Sequence, residues 1–251
     1  VTDLANGPPG PAMAGVAFDL DGVLVESEHL WEENWAAWAA GRGKPWLPEH
    51  TARLQGMSVP EWAAALAEHT DDPDARAVAE AVIDGMVAAL HAGRIDLLPG
   101  SAAMVRAAAE RVPIAVASSA PRRLIEAVLL AHGLRELFAA VVSSEEVPRG
   151  KPSPDVYAEA ARRLGVDPRR CLAVEDSSNG IRAAAAAGMT VIALPNPTYP
   201  PQPDALARCA KIAASPDEVR RELDARLPGP LPAAASAGAP GGRPHGEDGS
   251  A

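Results

Sequence analysis

Cys171-Leu172-Ala173-Val174-Glu175-Asp176-Ser177-Ser178-Asn179-Gly180 opens a stretch that runs through the alanines of 183–187 to Gly188 and ends on Val191-Ile192-Ala193-Leu194. Each end is a short run of continuous apolarity, the pattern of a strand covered on both faces. Asn179 and Gly188 bracket a helical pattern between them. A strand, a helix and a strand in that order make a parallel pair with a right-handed crossover. Working outward, further apolar runs occupy 16–18, 114–117 and 137–142. Pro121 and Gly133 bracket one intervening helix, and Pro154 and Gly165 another. This alternation predicts a Rossmann-like α/β core with a doubly wound parallel sheet.

Residues 28–95 break the rhythm. They hold no strand-like run, only helical patterns, with Ser58, Pro60 and Glu61 placed as a capping box. All five tryptophans fall here, and Trp31, Trp35 and Trp38 share one helical face. Such a stripe fits either a core or the wall of a substrate pocket. The expected organisation is a catalytic core over 14–27 and 96–227, with an all-helical insertion over 28–95. Tails at 1–13 and 228–251 are rich in Gly, Pro and Ala and are expected to be unstructured.

Composition narrows the function. Asp and Glu number 33 against 23 Lys and Arg, a net charge of −10, which argues against nucleic-acid or membrane-surface partners. No apolar run approaches the roughly 18 residues of a membrane span. Cys171 and Cys209 match no metal-ligand spacing, nor do the six histidines. The expectation is a soluble cytoplasmic protein whose partner is a small phosphorylated metabolite.

Ligands of an open parallel sheet bind beyond the carboxyl ends of its strands. The residues there are Asp19 and Asp21, then Ser118 and Ser119, then Lys151 in the loop after 137–142, then Glu175 and Asp176. Alone, each has a plainer reading: Ser118-Ser119 or Glu175-Asp176 can cap the next helix, and Lys151 can be solvated. Together they suit phosphoryl transfer with a hard cation. Asp19 and Asp176 offer oxygen ligands to Mg²⁺, a carboxylate can attack phosphorus, and Lys151 with Ser118 can hold phosphoryl oxygens. Asp21 stands two residues after Asp19, where a second acid can protonate the leaving oxygen.

Phe18-Asp19-Leu20-Asp21-Gly22-Val23-Leu24-Val25-Glu26-Ser27 resembles the first motif of the haloacid dehalogenase-like superfamily. Ser118, Lys151 in Lys-Pro-Ser-Pro-Asp, and Glu175-Asp176-Ser-Ser-Asn-Gly resemble the second, third and fourth. The insertion is similar to the cap of subfamily I, in the phosphatase and beta-phosphoglucomutase-like branch. The resemblance implies Asp19 as nucleophile, Asp21 as general acid/base, and Mg²⁺ on Asp19, Asp176 and the Asp21 carbonyl. It makes Glu175 an outer or occasional ligand, and implies phosphoryl binding by Ser118, its neighbour Ser119 and Lys151. Mutases of this branch carry His where this chain has Trp31, and Arg where it has Val59 after Gly56-Met57-Ser58. A phosphatase is therefore expected ahead of a mutase, and either ahead of a silent interaction protein. Selectivity is expected from Arg53, Gln55, Gly56 and Met57, backed by the tryptophans.

Overall fold

The computed structural model describes residues 12–230; the expected tails lie mostly outside them. In chain order the elements are β1 (Gly15–Phe18), β2 (Val25–Glu26), α1 (Glu28–Ala40), α2 (Pro48–Leu54), α3 (Val59–His69), α4 (Ala75–His91) and β3 (Asp96–Leu97). Then come α5 (Ser101–Ala109), β4 (Ile114–Ser118), α6 (Arg122–Ala131), β5 (Ala140–Ser143), α7 (Asp155–Leu164), β6 (Cys171–Glu175) and α8 (Ser178–Ala186). The last are β7 (Thr190–Ala193), α9 (Pro203–Leu206), β8 (Lys211–Ile212) and α10 (Pro216–Arg226).

Six strands form one parallel sheet in the order β5-β4-β1-β6-β7-β8. The fold is Rossmann-like α/β. Successive strands turn opposite side chains to the two faces, and the two faces differ in size. Val16, Phe18, Ile114, Val116, Leu172, Val174 and Ile192 face a core of large side chains. Ala17, Ala115, Ala117, Ala173 and Ala193 face the other way, against Tyr157, Ala160, Ile181 and Ala184 of α7 and α8. Small residues on that face let the helices lie close, which is where the alanine content is used.

The run at 137–142 is displaced. Leu137 ends a short 3-10 turn and the strand begins at Ala140, because Phe138 leaves the chain to pack edge-on against Phe18 at 6.3 Å. Helices α1–α4 lie between β2 and β3, which pair antiparallel with Val25 opposite Leu97 and Glu26 opposite Asp96. Trp31, Trp35 and Trp62 pack together there with ring centroids 6.0 Å apart. At the start of α3 the Glu61 carboxylate accepts from Ser58 N at 2.9 Å, as its spacing predicts.

β1 sits between β4 and β6, with Phe18 opposite both Val116 and Val174. The chain leaves β1 for β4 on one side and later returns to β6 on the other. Strand order thus reverses around β1, and a crevice opens beyond its carboxyl end.

Candidate active site

That register brings Asp19, Ser118 and Glu175 to one level, each one or two residues past the paired positions. Asp19, Asp21, Ser118, Ser119, Lys151 and Asp176 all line one cavity of about 490 Å³. Asp19 is 7% exposed; its Oδ1 accepts from Leu20 N at 2.7 Å and its Oδ2 lies 3.0 Å from Lys151 Nζ. Asp21 Oδ1 accepts from Ser27 Oγ and, at 3.1 Å, from Trp31 Nε1. Gly22 follows with φ +73°, and a Cβ there would stand 2.0 Å from Asp176 Oδ2. Only glycine lets the two acidic segments approach that closely.

Lys151 is buried and also donates to Glu175 Oε1 at 2.6 Å. Glu175 is fully enclosed. Its Oε1 takes a second bond from Tyr157 OH at 2.7 Å, and its Oε2 accepts from Asp176 N, Ser177 N and Ser177 Oγ at 3.0–3.1 Å. Both Glu175 oxygens are therefore engaged by protein donors. That geometry suits an anchor for Lys151 better than the metal ligand its sequence position suggests.

Electrostatics follow from crowding acids in a dry place. Burial raises Asp19 well above the usual carboxylate range, and the charges of Glu175 and Asp21 add to it while Lys151 opposes. Asp176 is raised in the same way, by burial and then by Glu175, Glu28 and Asp19. Burial would raise Glu175 too, but Lys151 overcomes it and holds this carboxylate low. Lys151 is itself raised: burial works against its charge, and Asp19 and Glu175 outweigh it. Asp21 is raised by burial against the pull of Ser27 and Trp31. Oxygens of Asp19, Glu175 and Asp176 lie within 4.8 Å of one another, a buried cluster of hard donors of the kind that can hold a metal ion.

Ser118 closes β4, and its Oγ accepts from Ala120 N at 3.0 Å. It caps no helix, since Pro121 is the residue before α6. Ser119 Oγ is buried without a protein partner. Ser177, not Glu175 or Asp176, caps α8 by accepting from Gly180 N at 3.1 Å.

The four selectivity candidates separate. Gln55, Gly56 and Met57 line the cavity, and Gln55 Nε2 donates to Glu28 Oε2 at 3.1 Å. Arg53 does not line it. Its side chain is 62% exposed, pairs with Glu68 at 3.7 Å, and faces a separate small hollow with Trp46, His50 and His69. It lies in the last turn of α2 and turns to the helix's outer side. The tryptophan stripe divides too: Trp31, Trp35 and Trp62 are both packed and cavity-lining, whereas Trp38 stacks under Arg42 at 3.3 Å.

Tyr157, which supports Glu175, and the 196–202 loop, which lines the cavity, are not revealed by sequence spacing; Glu28, next to the first motif, lines the cavity too. Burial and then the charge of Asp21 push the Glu28 carboxyl up to about 7. Tyr199 lines the cavity from that loop and donates to Glu32 of α1 at 3.0 Å, tying the loop to the helices.

A family model for haloacid dehalogenase-like hydrolases matches residues 13–188. Hexitol phosphatase B of Escherichia coli (strain K12) is 33% identical over 212 residues, covering 82% of this chain and 94% of that protein. The bifunctional riboflavin kinase/FMN phosphatase of Arabidopsis thaliana is 34% identical over 84% of this chain, which spans about half (54%) of that relative. A crystal structure of a mutant CbbY from Rhodobacter sphaeroides with xylulose-(1,5)bisphosphate aligns with a TM-score of 0.73 and 31% identity. That alignment covers 82% of this chain and 96% of the other. The fold and the sequence agree, and the chain belongs to the haloacid dehalogenase-like hydrolases. Among the described residues no helix is long and apolar enough to cross a membrane.

Proposed function

We propose that the chain is a Mg²⁺-dependent phosphatase of a small phosphomonoester, working through an aspartyl phosphate on Asp19. The observation that carries this reading is the convergence of Asp19, Asp21, Ser118, Lys151 and Asp176 on one cavity, with Asp19 tethered by Lys151. Relatives named as phosphatases support it. The donor set fits Mg²⁺: Asp19 and Asp176 are hard, buried and raised by burial and by neighbouring acids, and Lys151 is the one cation among them. Asp19, Asp176 and the Asp21 carbonyl would hold it. When bound, Mg²⁺ neutralises phosphoryl charge and aligns the phosphorus for attack.

The chain's own groups do the rest. An Asp19 oxygen forms the bond to phosphorus as the ester P–O bond breaks, and Asp21 delivers its proton to the leaving oxygen. Ser118, Ser119 and Lys151 hold the phosphoryl oxygens through both steps. Glu175 and Tyr157 fix Lys151 in place from behind. Asp21, now ionised, takes a proton from water as that water attacks phosphorus and releases Asp19. Helices α1–α4 act as a cap over the core, excluding bulk water and selecting the leaving group. Trp31 favours hydrolysis over mutase chemistry, because an indole N–H donates to Asp21 and has no lone pair with which to take a proton.

Phosphate release across a panel of monoesters, with Mg²⁺ or chelator, tests the reading. Release should require Mg²⁺ and fall at least about a thousandfold in Asp19→Asn, as when the nucleophile of a coupled catalytic unit is lost. Glucose 6-phosphate formed from beta-glucose 1-phosphate without phosphate release would make it a mutase. No turnover of any ester would leave a non-catalytic protein.

A further inference from the structure

The phosphoryl end of the cavity is acidic by necessity, but its far end is short of positive charge as well. Among the described residues lining it, the cations are Lys151 and Arg182. Lys151 belongs to the phosphoryl end, where it pairs with Asp19 and Glu175. Arg182 sits at the rim in a two-bond pair with Asp204, at 2.8 and 3.0 Å, and also donates to Gln202 Oε1 at 2.5 Å. Its Nε and Nη2 are taken up, and Asp204 already balances its charge. Glu28 adds a carboxylate to the wall, and its side-chain partner is the neutral amide of Gln55. The rest of that end is uncharged: Trp31, Trp62 and Met57 supply apolar surface, and Asn179 and Gln55 supply amides.

Resting on the phosphatase reading above, we infer that this far end is a leaving-group subsite for a neutral, hydroxyl-bearing group. It discriminates against any substrate carrying a second anion, whether a second phosphate or a carboxylate. The apolar C–H faces of a polyol pack on the indole rings, and its hydroxyls exchange hydrogen bonds with Gln55, Asn179 and Glu28. A second phosphate or carboxylate would be desolvated beside Glu28, where each lining cation already has an acidic partner. The core motifs alone admit a sugar monophosphate, a phosphoglycolate-like acid and a nucleoside monophosphate equally. The charge of the far end separates the first from the second and from sugar bisphosphates.

The test uses matched pairs at pH 8, where Glu28 is ionised, with Mg²⁺ in excess: glycerol 3-phosphate against 3-phosphoglycerate, and fructose 1-phosphate against fructose 1,6-bisphosphate. In each pair kcat/KM should favour the singly anionic ester by about a hundredfold, the scale at which uncompensated like charge sets specificity. Glu28→Gln should shrink both ratios about tenfold and Glu28→Asp should keep them, whatever either does to the absolute rates. The same ligands titrated into Asp19→Asn protein should show dissociation constants in the same order. Equal constants within a pair, or ratios unmoved by Glu28→Gln, would overturn the inference. Absence of phosphate release with the ordering of constants preserved would overturn the phosphatase reading alone.

Discussion

Asp21 takes its direction from two donors at the start of α1, Ser27 Oγ and Trp31 Nε1, both on Oδ1. That leaves Oδ2 to carry the proton toward a leaving oxygen. Burial raises the Asp21 carboxyl and the two donors restrain it, so removing one lets it rise further. In Trp31→Phe the ring volume stays and the donor goes. In its proposed role of general acid, Asp21 must be protonated when the ester bond breaks, which would make it set the alkaline limb of kcat/KM. That limb should move to higher pH in Trp31→Phe, with kcat down roughly tenfold from loss of orientation. Trp31→His restores a ring N–H and should return the limb toward its original position. A pH profile unchanged in Trp31→Phe would show that Ser27 alone orients the acid.

Within elements, one glycine shows how the site overrides local propensity. Gly180 lies in the first turn of α8, where Ala would ordinarily stabilise a helix by about 1 kcal/mol. A Cβ there would meet Glu175 Oε1 at 1.7 Å, the oxygen that holds Lys151 and Tyr157. Gly180→Ala should therefore destabilise, by about 1–3 kcal/mol as overpacked sites do, and raise KM by displacing Lys151. Urea midpoints and KM for one good ester measure both; a more stable variant with normal KM would mean Glu175 turns aside freely. The strands at 16–18, 114–117 and 171–174 were legible because both their faces are covered, which makes the run continuous. β8 escaped notice because it is two residues long at the sheet edge, with Lys211 and Ile212 on opposite faces. Asp19, Asp21, Ser118, Lys151 and Asp176 were legible because the end of a strand, or the loop beyond it, is a local mark. Tyr157 carries no such mark, since nothing near it in sequence says which way a helical side chain points. Arg53 was misplaced for the same reason: one residue short of the end of α2, it faces outward while Gln55 faces in.

At the scale of the whole molecule, the acids gathered around Lys151 make stability depend on pH and metal together. Asp19 and Asp176 have folded pKa values above the unfolded 3.8, so their favourable contribution is complete at low pH and is lost as pH rises through the raised values. Glu175 runs the other way: its lowered pKa favours folding above its unfolded value of 4.5 and ceases to do so as pH falls. Asp21 and Glu28 are raised as well, and the Glu175 contribution is already complete at pH 5, so the metal-free protein should be less thermostable at pH 8 than at pH 5. Mg²⁺ at a hundred times its Kd stabilises by about 2.7 kcal/mol, or about 5–10 °C in Tm for a chain of this size. Because its ligands must be ionised, the shift should be larger at pH 8 than at pH 5. Asp176→Asn removes a buried charge along with a proposed ligand, so its metal-free Tm should exceed the parent's at pH 8 and no longer respond to Mg²⁺. Differential scanning calorimetry of both proteins, at both pH values, with Mg²⁺ or chelator, decides it. If Asp176→Asn still gained several degrees from Mg²⁺, the cation would be held elsewhere, and the burial of Asp176 among other acids would need another purpose.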